Sequence, residues 1–167
     1  QCCLVGSEMC IRDRFYSGRP MTIDALANYH ESVETIPDNS RLVSIEEARN
    51  NLSRSISLLT KLQSINDLAS DITEELDIVL ESYDSTHEHV MELADYLASL
   101  VKDWHSTINA LEKDGARMAS IDPGRLEWYG VVDEKVVLYS WCSGDDDIEW
   151  YHHLDGTYLS RKPLIEA

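Results

Sequence analysis

Basic side chains are scarce in this chain. Fourteen Lys and Arg stand against 31 Asp and Glu among 167 residues, a formal net charge of −17. Nucleic-acid recognition needs clustered Lys and Arg to meet phosphates, so this balance excludes that partner class. Long apolar runs are missing too. No stretch approaches the roughly 18 apolar residues of a membrane span, so no membrane partner is expected. There is no internal repeat, no low-complexity tract and no phosphate-loop or nucleophile–base motif. What is there suffices for one domain. Hydrophobic residues make up 43%, with four Trp and eight Tyr, which excludes wholesale disorder.

Cysteines stand at positions 2, 3, 10 and 142. At face value, three near the N-terminus suggest a disulfide or a metal. Leu4 to Asp13, however, resembles the translation of a transposase sequencing-library adapter, CTC GTG GGC TCG GAG ATG TGT ATA AGA GAC, and the flanking codons allow Cys3 and Arg14. Residues 3–14 are therefore read as adapter-derived, and 1–14 are set aside as non-native. Removing them takes away Glu8, Asp13, Arg12 and Arg14, so the net charge stays at −17. Cys142 is then the one cysteine left. A lone Cys forms no internal disulfide, and a cytoplasmic, reducing location is expected. The N-terminal segment also lacks the apolar stretch and cleavage site of a signal peptide. Met21 is the first plausible start, with Phe15 to Pro20 upstream as the alternative beginning of the native sequence. Residues 15–42 read as an extension and linker ending in the turn residues Pro37-Asp38-Asn39-Ser40.

Ser44 opens the first strong pattern. With Glu47 it makes an S-x-x-E capping box. Ile45, Ala48, Leu52, Ile56, Leu59, Leu62 and Ile65 follow at spacings of three and four, the stripe of an amphipathic helix. Asp71 and Glu74 offer the cap of a second segment carrying Ile72, Leu76, Val79, Leu80 and Tyr83. Ser85 and Glu88 offer another capping box before Val90, Leu93, Leu97, Leu100, Trp104, Ile108 and Leu111, which approach a coiled-coil seam. Gly115 is placed to end that helix in a left-handed conformation. These stripes need partners, so the helices fold back on each other.

After Asp122-Pro123-Gly124 the period becomes two. Arg125–Val132 and Lys135–Cys142 read as strands joined by a tight turn at Asp133-Glu134, and Asp147–His152 reads as a third. The predicted fold class is α+β. A long antiparallel helical hairpin or three-helix bundle (44–113) is followed by a small three-stranded antiparallel β-meander (125–152) and an irregular tail (153–167). Residues 43–167 form one domain.

Several motifs carry a resemblance. They are the helix start Val43-Ser44-Ile45-Glu46-Glu47-Ala48-Arg49, then Gly124-Arg125-Leu126-Glu127-Trp128, then Tyr139-Ser140-Trp141-Cys142-Ser143-Gly144-Asp145. The last is the ungapped run from Tyr151-His152-His153 through Asp155-Gly156 to Arg161-Lys162-Pro163-Leu164. Over residues 43–164 the chain resembles the bacterial family called domain of unknown function 2203. Ser140 stands where that family has Cys, and Thr157 and Ser160 where it has glycines. The resemblance implies the helix-plus-small-sheet architecture and a bacterial origin, and it brings no activity with it.

The chemistry-bearing residues concentrate near the C-terminus. His152, Asp155 and Arg161 are candidates for a polar site: imidazole exchanges a proton near neutral pH, and Arg grips carboxylate or phosphate with its fork. Against this stands the reading in which Asp155 and Arg161 pair to fix the tail. Asp145 and Asp147 with His152 are candidate ligands for a divalent metal, although no EF-hand spacing is present. His87-Glu88-His89 departs from H-E-x-x-H, and its two imidazoles fall on different helix faces. Cys142 has no sequence signal for activation other than His152 or His153 across a hairpin. Trp128, Tyr129, Trp141, Trp150 and Tyr151 read as sheet core, the alternative being an exposed aromatic face that binds a peptide or ligand. Leu93, Leu97, Leu100, Trp104 and Ile108 are either a seam within the hairpin or an interface to a protein partner or second copy. With no catalytic motif, the favoured function is an interaction protein acting through protein contacts, with no cofactor. The alternative is a small enzyme or metal-binding protein centred on His152, Asp155 and Arg161. Their convergence on one open pocket would favour the alternative.

Overall fold

The computed structural model describes residues 36–37 and 40–165. The adapter-like residues 3–14, Met21 and most of the 15–42 extension lie outside the described residues.

Ser44 caps the first helix as its sequence implies. It is extended, with φ −76° and ψ 161°, and its Oγ accepts from the Glu47 N–H at 3.1 Å. Helix α1 then runs unbroken over Ile45–Leu80. Asp71 does not start a second segment, because no Gly or Pro interrupts the helical pattern there. The three-helix alternative is thereby corrected to a two-helix hairpin. The buried stripe is Ile45, Ala48, Leu52, Ser55, Leu59, Leu62 and Ile65. Ser55 takes the fully buried place expected of Ile56, which is only partly buried.

Helix α2 spans Glu88–Lys113 and packs antiparallel against α1. Its cap is His87, whose Nδ1 accepts from the His89 N–H at 3.3 Å. Ser85 therefore does not cap; the preceding turn is organised by Asp84, whose carboxylate accepts from both the amide and the hydroxyl of Thr86. Gly115 ends the hairpin with φ +78°. A Cβ there would lie 2.6 Å from Cγ1 of Val43, so both conformation and space demand glycine.

Five antiparallel strands follow as a meander in the order β1-β2-β3-β4-β5. They are β1 Ala116–Ser120, β2 Arg125–Val132, β3 Lys135–Cys142, β4 Trp150–His153 and β5 Lys162–Pro163. This corrects the three-stranded expectation at both edges. The sequence of β1, Ala-Arg-Met-Ala-Ser, is poor in the β-branched and aromatic residues that mark a strand. The two residues of β5 include a proline, tolerated only on an edge. The tail is accordingly not irregular throughout; a 3-10 turn at Tyr158–Ser160 leads into β5. The β2–β3 hairpin turns where the sequence places it, with φ +48° at Asp133 and +61° at Glu134. Two successive positive φ values suit the right-handed twist of the flanking strands.

The inner face of the sheet rests on the hairpin. Leu126, Trp128, Val137, Tyr139, Trp141 and Tyr151 pack with Ile45, Leu52, Leu59 and Leu62 of α1 and Leu111 of α2. Gly130 is needed because a side chain there would collide with the buried Tyr139 ring. The outer face is covered as well: Tyr129, Val131 and Leu138 pack with Leu42, Ile36 and Leu154. With both faces covered, β2 and β3 are buried almost throughout, so their sequences do not show a clean hydrophobic–polar alternation.

Beyond Leu62 on α1 and before Trp104 on α2, no helical residue belongs to that core. The 15 residues 66–80 project for about 22 Å at 1.5 Å per residue, forming a two-helix arm.

Candidate functional site

The outer face of the sheet positions a polar cluster. Arg125, Glu127 and Tyr129 alternate along β2 and so share one face. Arg117 on β1 is paired in register with Glu127. His152 on β4 is paired with Leu138 of β3. Glu127 and His152 are both buried, 7% and 3% exposed. The Glu127 carboxylate is shared: Oε1 lies 3.1 Å from His152 Nε2, and Oε2 lies 3.1 Å from Arg117 Nε. Arg117 also donates to the Tyr129 hydroxyl at 2.8 Å. His152 Nδ1 is 2.8 Å from the carbonyl of His153. A carbonyl only accepts, so Nδ1 is the donor in that contact.

These side chains line an open cleft of about 350 Å³ between β1, β2 and the tail, with Tyr158 and Thr157 on its far wall. Arg125 lies over the Tyr158 ring, its guanidinium carbon 4.7 Å from the ring centroid. Tyr158 is hydrogen-bonded to Cys142, which together with burial pushes its phenol above the ordinary value.

The residues singled out from the sequence are distributed differently. His152 lines the cleft, but Asp155 and Arg161 do not. Asp155 is exposed. Arg161 pairs with Asp145 at 3.3 Å and stacks on Tyr158 at 3.7 Å, clipping the tail to the loop after β3. Asp145 also accepts from the Cys142 amide at 3.0 Å. Asp147 pairs with Arg49 of α1 at 3.0 Å. The three candidate metal ligands Asp145, Asp147 and His152 thus answer to three different partners, and no group of three or more potential ligands occurs among the described residues. Cys142 is a buried free thiol, set opposite Arg125 and four residues along β3 from the partner of His152. Ser140, where the family pattern has Cys, is buried with its Oγ unpartnered among the described residues.

Leu93 and Leu100 are buried within the hairpin, and Leu97, Trp104 and Ile108 are half-buried. Leu100, Val101 and Trp104 form one wall of an apolar groove of about 190 Å³, with Ile65 and Ala69 on the other. Ile78, Tyr83, Met91 and Val101 are each about half exposed or more along the arm. His89 at the base of α2 meets Glu75 at 3.4 Å, across the hairpin.

Sequence reasoning missed Arg117, Arg125, Glu127 and Tyr158, and singled out Tyr129 only as one of the sheet aromatics. The signal available was the spacing Arg125, Glu127, Tyr129, three functional side chains on one face of a strand.

Hairpin and sheet define the class: an α+β protein with a two-helix hairpin packed on a five-stranded antiparallel meander. The chain belongs to the family described as uncharacterized conserved protein (DUF2203), whose model matches residues 41–164. No curated protein and no solved structure matches it. Among the described residues no helix is long and apolar enough to cross a membrane.

Proposed function

We propose that the protein is an interaction module whose helical arm docks on a basic, amphipathic surface of a partner protein. One observation carries this reading. Residues 62–101 contain ten Asp and Glu and no Lys or Arg, and the same segment exposes Ile78, Tyr83, Met91 and Val101. A solvated acidic face alone needs no such apolar side chains. Two helices bury only one seam, and a partner that covers their outer sides completes the packing. A second copy would bring ten more carboxylates against the first ten, and like charges at short range oppose that pairing. A basic partner gains both Coulomb attraction and apolar burial, with the groove beside Trp104 receiving an apolar side chain. A cytoplasmic setting, in which Cys142 stays reduced, fits this role.

The test uses the full chain and a synthetic amphipathic helix of Lys and Leu, titrated by calorimetry at low and high salt. Saturable binding that weakens as salt rises is expected. It should be lost in a variant carrying Glu74→Lys, Asp77→Lys and Ile78→Ser. Absence of binding, equal binding by the variant, or sedimentation as a dimer that buries the arm would overturn the proposal.

A further inference from the structure

The cleft on the outer face of the sheet gathers more cationic side chains than carboxylates, in a chain of net charge −17. Arg117, Arg125 and the His152 ring surround a single carboxylate, Glu127. Each oxygen of that carboxylate meets one of those groups, Oε1 on His152 and Oε2 on Arg117. It therefore holds those two groups in place. Arg117 is further tied to Tyr129.

Arg125 is different. Its guanidinium carbon lies over the Tyr158 ring, and its Nε is buried with no hydrogen-bond partner among the described residues. Leaving a charged donor buried and unmet costs more than losing an ordinary hydrogen bond. A guanidinium stacked on an aromatic ring still points its N–H groups outward in its own plane, the geometry that meets two oxygens of one carboxylate or phosphate. The cleft has the volume of a small-metabolite site, and Tyr129, Tyr158, Leu138 and Leu154 give it apolar walls beside the charges.

We propose that this cleft binds a small organic oxyanion, a carboxylate or phosphate ester with an apolar body, whose charged end is held by Arg125. The surface is separate from the acidic arm, so this site stands or falls independently of the docking role. Arg125 supplies the fork and the Tyr158 ring backs it. Glu127 is a positioning residue that keeps Arg117 and the His152 ring turned into the cleft.

The experiment titrates benzoate and phenyl phosphate, each to about 10 mM, into the isotope-labelled full chain, followed by the ring resonances of His152 and the side-chain resonances of Arg125. At least one probe should give a saturable shift at both residues, and the one that saturates at lower concentration identifies carboxylate or phosphate as the preferred head group. Arg125→Met should weaken that binding by about tenfold or more, and Arg125→Lys, which keeps the charge but loses the fork, by a smaller factor. Thermal melts of each variant without probe report folding, and the Lys variant decides the matter if the Met variant does not fold. The absence of a saturable shift with either probe would overturn the proposal. So would binding undiminished in a folded Arg125 variant, or shifts that map to the arm and leave His152 unmoved.

Discussion

Nε2 of His152 on β4 meets Oε1 of Glu127 on β2 at 3.1 Å although β3 lies between the two strands. The contact exists because both side chains rise from the same face and lean across Leu138 and Ser140, their respective β3 partners. A second anchor, the His153 carbonyl on Nδ1, fixes which way the ring faces. The pair and Arg117 are thus held by three strands together, and each predicted consequence below follows from such cross-element contacts.

Removing the shared carboxylate leaves two donors facing nothing. Glu127→Ala is expected to cost about 3 kcal/mol, as breaking a buried ion pair from one side does. Glu127→Gln, which keeps an acceptor, should cost less. A double variant, Glu127→Leu with His152→Phe, should recover much of the loss, because apolar packing of similar volume replaces both buried polar groups. Urea denaturation with unchanged m values checks all three.

Gly115 joins the hairpin to the sheet at φ +78° with Val43 against it. Gly115→Ala is expected to destabilise by about 1–3 kcal/mol through backbone strain and collision. Denaturation midpoints measure the loss, and a variant as stable as the parent would contradict the crowding seen at this junction.

His153 predicts an acid dependence. Burial, then the nearby Lys162 and Lys135, hold its imidazole below the ordinary 6.5, against an opposing pull from Asp155. The unfolded chain therefore takes up this proton first as the pH falls, so the folded state loses stability on acidification. The contribution is complete above about pH 7, declines as pH drops through 6.5, and levels off below the folded-state value. Comparing wild type and His153→Gln by urea denaturation at about pH 8 and pH 5.5 isolates it. The fall in stability between the two should be smaller in the variant; an equal fall would show that His153 takes no part.

Much of the scaffold is legible along the chain because it is written in local periodicity. Ser44 and Glu47 mark a helix start, Gly115 a helix end, and Arg125–Val132 and Lys135–Cys142 appear as strands with the bounds the structure gives. The edge strands were not legible, since Ala116–Ser120 and Lys162–Pro163 are strands only because a neighbour offers them a ladder. The same holds for the cap of α2, where the geometry of the 81–87 turn selects His87 over Ser85.

The site divides in the same way. His152 was visible as a chemically capable residue. Its association with Asp155 and Arg161 was inferred from closeness in sequence, and the tail instead carries Arg161 to Asp145 and leaves Asp155 in solvent. The true neighbours of His152 come from β1 and β2, 25 and more residues away in the chain.

By itself the sequence determined the acidity of the arm, the two amphipathic helices, the central hairpin and the scarcity of basic side chains, all properties of composition or of short-range period. Only the tertiary structure decided which side of each strand faces the helices, which carboxylate meets which imidazole, and that Arg125 has a donor unmet among the described residues beside an aromatic wall. Those depend on strand register and on the path of the tail, and register is settled by packing both faces of the sheet at once.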